Sequence, residues 1–251
     1  MDYISLSGGI DSTALALMMP TAQLIFADTG DEFPELYAHL DKFEAITRRP
    51  VIRIQGRVVK GELVQDTLPE YAVRTHFLPG HGSRYCTRLF KIEPINWYLK
   101  QHLPATLCIG LRADEDERVG NLTDLEGLSI RYPLREAGLT RADCIRLCLD
   151  NDLLPRYPAY MLRGGCKGCF YKRTAEVKAM AQLVPDVMAE LDQREKAVQD
   201  ERGSFALMFP NIGKSVAQVM SQPALFDMSD LYRDALDQSD VGTSCGAFCR
   251  R

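Results

Sequence analysis

The chain has 251 residues, 46% of them hydrophobic and 25% charged, with a formal net charge of -4. That is enough apolar chain to bury a core, and the acidic balance excludes a protein that coats nucleic acid by bulk charge, leaving only a local basic surface as a route to a nucleic acid substrate. No stretch reaches the roughly 18 apolar residues of a membrane helix and no basic leader precedes the first apolar run, so the expectation is a cytoplasmic protein without a membrane partner.

Taken in order, Ile4 to Leu6 reads as a buried strand and Ser12 to Met19 as a helix stopped by Pro20. Gln23 to Ala27 is a second strand, ending at Asp28-Thr29-Gly30. Phe33 to Thr47 has helical spacing at Leu36, Leu40, Phe43 and Ile46, and Val51 to Ile54 is a third strand. From Gly56 to Tyr85 the periodicity weakens and Pro69, Pro79, Gly80 and Gly82 mark a long excursion. Ile92 to Gln101 reads as helix, Thr106 to Gly110 and Leu128 to Tyr132 as strands, and Thr140 to Leu153 as an amphipathic helix, N-capped by Thr140 with Asp143 completing a capping box. After Pro155 and Pro158 comes a tight turn, Gly164-Gly165-Cys166-Lys167-Gly168-Cys169, then helical segments through Arg202.

This alternation predicts an α/β fold: a parallel twisted sheet of about five strands with helices on both faces, plus a helical C-terminal portion. The expected division is a nucleotide-binding domain over residues 1–155 and a Cys-containing helical region with a tail over 156–251. Gly213-Lys214-Ser215 is not a Walker loop, because Met208 stands where that pattern needs Gly and no strand precedes it.

Eight cysteines need an explanation in a reduced compartment. Cys108 lies in an apolar run, and Cys144 and Cys148 share one helix face, so all three read as core residues. Cys86, Cys166, Cys169, Cys245 and Cys249 stand in loop-like or Gly-flanked settings. The C-x-x-C spacing of Cys166 and Cys169 lets two thiolates reach one metal, an iron-sulfur cluster or a structural zinc, and also suits redox chemistry. His39 reads as a surface or half-buried residue, and His81, between Gly80 and Gly82, is the histidine placed nearest a ligand. Pro155 to Lys172 interleaves Arg156, Arg163 and Lys172 with Tyr157, Tyr160, Phe170 and Tyr171, a pattern that suits a packed loop around a cluster better than single-stranded nucleic acid.

The first β-α junction reads Ser7-Gly8-Gly9-Ile10-Asp11-Ser12, a Gly-rich turn that aims backbone N-H groups and a helix N-terminus at one point, as a phosphate requires. Asp11 is the odd member, since a carboxylate repels an anion unless it caps the helix or holds magnesium.

This string resembles the pyrophosphate loop of the adenine nucleotide alpha hydrolase (PP-loop) superfamily. Within it the chain resembles the phosphoadenosine phosphosulfate (PAPS) reductase family, through Phe26-Ala27-Asp28-Thr29-Gly30 with Phe33-Pro34-Glu35, Cys86-Thr87 through Lys91-Ile92-Glu93-Pro94, and Gly110-Leu111-Arg112-Ala113-Asp114-Glu115 with Arg118. The resemblance implies an adenine nucleotide, ATP or PAPS, held by Ser7, Gly8, Gly9, Asp11 and Ser12, with Asp28, Thr29 and Gly30 beside the adenosine. Lys91, Arg112 and Arg118 supply charge for phosphate or sulfate oxygens. Asp11, Lys91, Arg112 and Cys245 are the implied catalytic residues, and magnesium accompanies the ATP reading.

Relatives that bind a four-iron four-sulfur cluster take a Cys pair and a later C-x-x-C. Here Tyr85 replaces one Cys of the pair, leaving Cys86, Cys166 and Cys169 as matched ligands; Cys249 completes the set if the tail meets the nucleotide site, with Cys245 or an outside ligand as the alternatives. The reductase tail has a Glu-Cys-Gly-x-His-like segment. Here Ser244-Cys245-Gly246-Ala247-Phe248 keeps Cys-Gly without the Glu and His. Two reactions fit, PAPS reduction to sulfite with an electron donor protein, and ATP cleavage to AMP and pyrophosphate coupled to sulfur transfer from a donor. The competing reading is a non-catalytic nucleotide- or nucleic-acid-binding subunit with a zinc staple.

Overall fold

The computed structural model describes residues 1–115, 119–120, 125–158, 160–161, 163–202, 206–222 and 249–250. Strands β1 (Asp2–Ser5), β2 (Gln23–Asp28) and β3 (Val51–Gln55) alternate with helices α1 (Ile10–Met18) and α2 (Pro34–Thr47). A short hairpin, β4 (Arg57–Val59) and β5 (Glu62–Val64), is followed by α3 (Leu68–Arg74), α4 (Tyr85–Thr87), a π-helical turn over Arg88–Ile92 and α5 (Glu93–Lys100). Next come β6 (Ala105–Cys108), β7 (Val119–Gly120), β8 (Leu128–Arg131), α6 (Pro133–Glu136) and α7 (Arg141–Asp150). The C-terminal part adds α8 (Thr174–Leu183), α9 (Pro185–Arg202), α10 (Val216–Ser221) and β9 (Cys249–Arg250).

The main sheet has five strands in the order β3-β2-β1-β6-β8, and every pairing is parallel. Because strand side chains alternate between faces, adjacent residues feed different cores. Ile4, Leu24 and Phe26 pack with Ala14, Leu15, Leu40, Phe43, Cys144 and Cys148 from α1, α2 and α7. Tyr3, Ile25 and Leu107 pack on the opposite face with Ile95 and Leu99 of α5. Helices therefore cover both faces, and Cys108, Cys144 and Cys148 are fully buried core residues.

A third core joins α8, α9 and α10 through Val177, Met180, Met188, Leu191 and Val216, and it includes Phe33, Ala72 and Leu78. The helical C-terminal part is thus packed on the loop that follows β2. No described helix is long and apolar enough to cross a membrane.

The excursion at 56–85 contains more structure than its weak periodicity predicts. Lys60 and Gly61, both with positive φ, make the two-residue turn of the β4-β5 hairpin. Thr67 and Glu70 form a reciprocal capping box that starts α3. Thr140 and Asp143 form the expected box at α7. Ser215 of the rejected Walker-like string N-caps α10. His39 is buried, beyond the surface or half-buried position expected, where Thr13 Oγ1 of α1 meets its Nε2 at 3.0 Å.

Candidate active site

The chain leaves β1 in one direction, toward β2 and β3, and returns on its other side as β6. The crevice between the carboxyl ends of β1 and β6 is the topological switch point, where open α/β sheets bind ligands. Ser7 to Ser12 follows β1 there. Gly8 adopts φ 72°, a left-handed conformation that the tight turn needs. Ser12 closes the loop on itself: its hydroxyl accepts from the Ser7 amide at 3.1 Å and donates to the Gly9 carbonyl at 3.1 Å. With that proton so directed, the Ser7 hydroxyl donates to Ser12 Oγ at 3.1 Å.

The loop after β6 closes against this turn. A Cβ built on Gly110 would lie 3.2 Å from the backbone of Asp11 and Ser12, so the approach depends on glycine. Two residues on, Arg112 donates from Nη1 to Asp11 Oδ2 at 2.6 Å and from Nε to Asp114 Oδ1 at 2.8 Å, with Glu115 Oε2 at 3.6 Å. Burial pushes the Asp11 carboxyl above its usual range, and the Arg112 guanidinium offsets only part of this. Asp11 Oδ1 accepts no hydrogen bond. Its orphaned oxygen, a hard donor, fits a magnesium ion in kind.

A cleft of about 170 Å³ opens at this point. Ser7, Gly9, Asp11 and Ser12 line it, and so do Lys91, Cys86, Cys166 and Cys169, residues as far as 162 positions apart in sequence. Lys91 comes from the π-helical turn, a distortion common at functional sites, and its Nζ lies 3.7 Å from Glu32 Oε1. Cys86 stands on α4, and the C-x-x-C turn lies against the loop after β2, where Cys166 and Glu32 form a β-bridge.

Asp28, Thr29, Gly30 and Arg112 do not form the walls of this cleft. Asp28 instead accepts from the Gly30 amide at 2.8 Å and the Tyr37 hydroxyl at 2.7 Å. Thr29 donates to Glu32 Oε1 at 3.1 Å. They shape the loop that carries Glu32. His81 packs edge-on against Phe170 and Tyr171, outside the cleft walls. Arg118 and Cys245 lie outside the described residues. Cys249 is described as backbone only: β9 pairs antiparallel with β7, setting Cys249 opposite Gly120 on the segment that follows β6.

Four further residues line the cleft, of which Glu32 and Arg141 carry no role in the sequence reading. Glu32 is 5% exposed and accepts from Cys166 Sγ at 3.4 Å. Arg141, the first residue of α7, reaches the cleft beside Asp11. Tyr157 has its hydroxyl between Gly9 and Gly164, where burial pushes its pKa up to about 12. Lys172 is 3% exposed, with its ammonium 4.8 Å from the Phe33 ring centroid. The signal for Glu32 was its position just after a strand's carboxyl end, and Arg141 follows a recognisable N-cap. Tyr157 and Lys172 belong to the basic and aromatic stretch 155–172, which the sequence marks as a loop around the site.

Cys86, Cys108, Cys144, Cys148, Cys166 and Cys169 are thiols without disulfides. Three of them in one cleft match the donor chemistry of an iron-sulfur cluster. Among the described residues, no three His, Cys, Asp or Glu side chains are gathered tightly enough to hold a metal ion.

Residues 3–125 match the model of the phosphoadenosine phosphosulfate reductase domain. Among solved structures, the chain is similar to phosphoadenylyl-sulfate (PAPS) reductase from Candida auris in its phosphate complex. The identity is 19%, with a TM-score of 0.44 over 60% of this chain and 72% of that one. No curated protein sequence matches. Residues 3–125, which supply β1, the Ser7 to Ser12 loop, Cys86, Lys91 and Arg112, are thus the part of the chain that is similar to the phosphoadenosine phosphosulfate reductase domain.

Proposed function

We propose that the protein is an enzyme that holds an adenine nucleotide on the Ser7 to Ser12 loop and performs sulfur chemistry at the cysteines of the same cleft. One observation carries this reading: the nucleotide loop and the thiols of Cys86, Cys166 and Cys169 line a single cleft. In the reductive form, a thiolate, Cys245 by family resemblance, takes the sulfo group of PAPS and releases adenosine bisphosphate. A second thiol or a donor protein then reduces the S-sulfocysteine and frees sulfite. Cys86, Cys166 and Cys169, with Cys249 in the fourth position, are the residues to hold a four-iron four-sulfur cluster, which supplies electron density or electrons when bound. The backbone amides of the loop, Lys91, Arg118 and Arg141 orient the nucleotide's anionic groups.

A second reading is favoured by Asp11 Oδ1, a carboxylate oxygen without a hydrogen bond in the loop. It suits a magnesium ion on ATP, with cleavage to AMP and pyrophosphate activating an acceptor for sulfur. Purified protein with PAPS and a dithiol, assayed for sulfite, tests the first reaction. Magnesium-ATP, assayed for AMP and pyrophosphate, tests the second. Nucleotide binding without either product supports a binding subunit instead.

A further inference from the structure

The cysteine turn is held by a buried ion pair on residues that no motif marks. Asp31, 1% exposed, follows Gly30 after β2, and Arg194, 7% exposed, lies in α9. Arg194 Nη2 donates to Asp31 Oδ1 at 2.8 Å. The other carboxylate oxygen accepts from the Gly168 amide at 3.1 Å, and the Asp31 carbonyl accepts from the Lys167 amide at 2.7 Å. Both middle residues of Cys166-Lys167-Gly168-Cys169 thus hang by their amides on Asp31. Glu190 ties the assembly together, accepting from Arg194 Nη2 at 2.9 Å and from Lys167 Nζ at 2.7 Å.

The packing leaves little room for another arrangement. A Cβ on Gly168 would meet Met208 Sδ at 3.0 Å, Arg194 Nη1 at 3.1 Å and Asp31 Oδ2 at 3.3 Å. The next residue of α9, Glu195, accepts from the amides of Met208 at 2.7 Å and Val216 at 3.0 Å. One turn of α9 therefore grips the cysteine turn on one side and the 206–216 segment on the other.

A buried ion pair is a poor device for stability, since hydrophobic replacements serve as well, but it is an exacting device for position. We infer that Asp31 and Arg194 are positioning residues that fix Cys166 and Cys169 at the nucleotide cleft, Arg194 acting through the Asp31 carboxylate on the turn's amides. This role is independent of which nucleotide the cleft takes and of whether metal binds the thiols.

The test is site-resolved alkylation of the full chain by iodoacetamide in the presence of a chelator, followed by peptide mass spectrometry. In Arg194→Met, Cys166 and Cys169 are expected to react at least about 10-fold faster, while Cys144 in the other core stays at its wild-type rate. Arg194→Lys keeps the charge and is expected to recover most of the protection. The double variant Asp31→Asn/Arg194→Met removes both charges, keeps an acceptor for the Gly168 amide, and is expected within about threefold of wild type. Unchanged rates at Cys166 and Cys169, or equal acceleration at Cys144, would overturn the inference. Should the variants fail to fold, hydrogen exchange on the unaltered chain decides: the Lys167 and Gly168 amides are expected to be protected, and exchange at unstructured rates overturns it.

Discussion

Arg112 Nη1 lies 2.6 Å from Asp11 Oδ2, joining the ends of β1 and β6 across 101 residues of sequence. The pair gives the acidic side chain of the Ser7 to Ser12 loop a partner: the guanidinium neutralises one oxygen, and among the described residues the other has no hydrogen bond. Arg112 is therefore expected to act through Asp11. In Arg112→Met the Asp11 carboxyl, already raised by burial and by Glu115, rises further and protonates more readily. Nucleotide turnover is expected to fall about 100-fold, and Asp11→Ala is expected to abolish it. Unchanged kcat/KM in either variant would remove the pair from the site.

Gly110 tests the closure between the two loops. Gly110→Ala drives a methyl group to 3.2 Å from the Asp11 and Ser12 backbone, so the loops must part. The expected cost is about 1–3 kcal/mol of stability with loss of nucleotide affinity. Gly80→Ala, with nothing within 4 Å of the new carbon, is the control expected to change neither. Urea unfolding and calorimetric titration read the two effects.

His39 sets an acid limit on stability. Burial, with Lys42 nearby, lowers its pKa from 6.5 to about 4, so the neutral ring is favoured in the fold. Its contribution is complete above the unfolded value and is lost as pH falls from 6.5 toward 4, up to about 3 kcal/mol in all. Urea denaturation across this window is expected to show the decline in wild type and a flatter profile in His39→Gln.

The cysteines divide by place in the fold. Cys86→Ala, Cys166→Ala and Cys169→Ala are each expected to lose bound iron and visible charge-transfer absorbance, and Cys249→Ser likewise. Cys144→Ala and Cys148→Ala, in the core between α1 and α7, are expected to keep both and to lose about 1 kcal/mol of stability. Iron assay and absorbance spectra check the division, and a full iron complement in Cys249→Ser moves the fourth position elsewhere.

Arg141, exposed at the start of α7 and lining the cleft, is placed to meet a phosphate. Arg141→Ala is expected to weaken nucleotide binding about 10-fold, with kcat changed little, as for a contact made equally in ground and transition states. A titration with unchanged affinity would exclude the contact.

Much of the sheet is legible in the chain because its strands are short apolar runs punctuated by Gly, Pro and capping residues. Such signals are local: Val51, Ile52 and Ile54 make a short β-branched run that favours a strand, and Thr140 needs only Asp143 to start α7. The 56–85 stretch was harder, since β4 and β5 are three residues each, too short to show a period. His39 reads as a surface or half-buried residue, and the extent of its burial is not legible because its partner, Thr13, stands on another helix.

By itself, the sequence determined the α/β alternation, the Ser7 to Ser12 turn and the core placement of Cys108, Cys144 and Cys148, because each depends on neighbours within a few residues. Cys86, by contrast, expected in a loop, is buried on α4 among Leu68, Phe90 and Phe170. Only the tertiary structure decided that Arg112 faces Asp11, that Glu32 meets Cys166, and that Asp31 and Arg194 hold the cysteine turn. Those pairings span from 101 to 163 residues: parallel strands bring Arg112 to Asp11 at their carboxyl ends, and the packing of the C-terminal helices on the loop after β2 brings Cys166 to Glu32 and Arg194 to Asp31. Charge and burial act through space there, where no spacing along the chain records them.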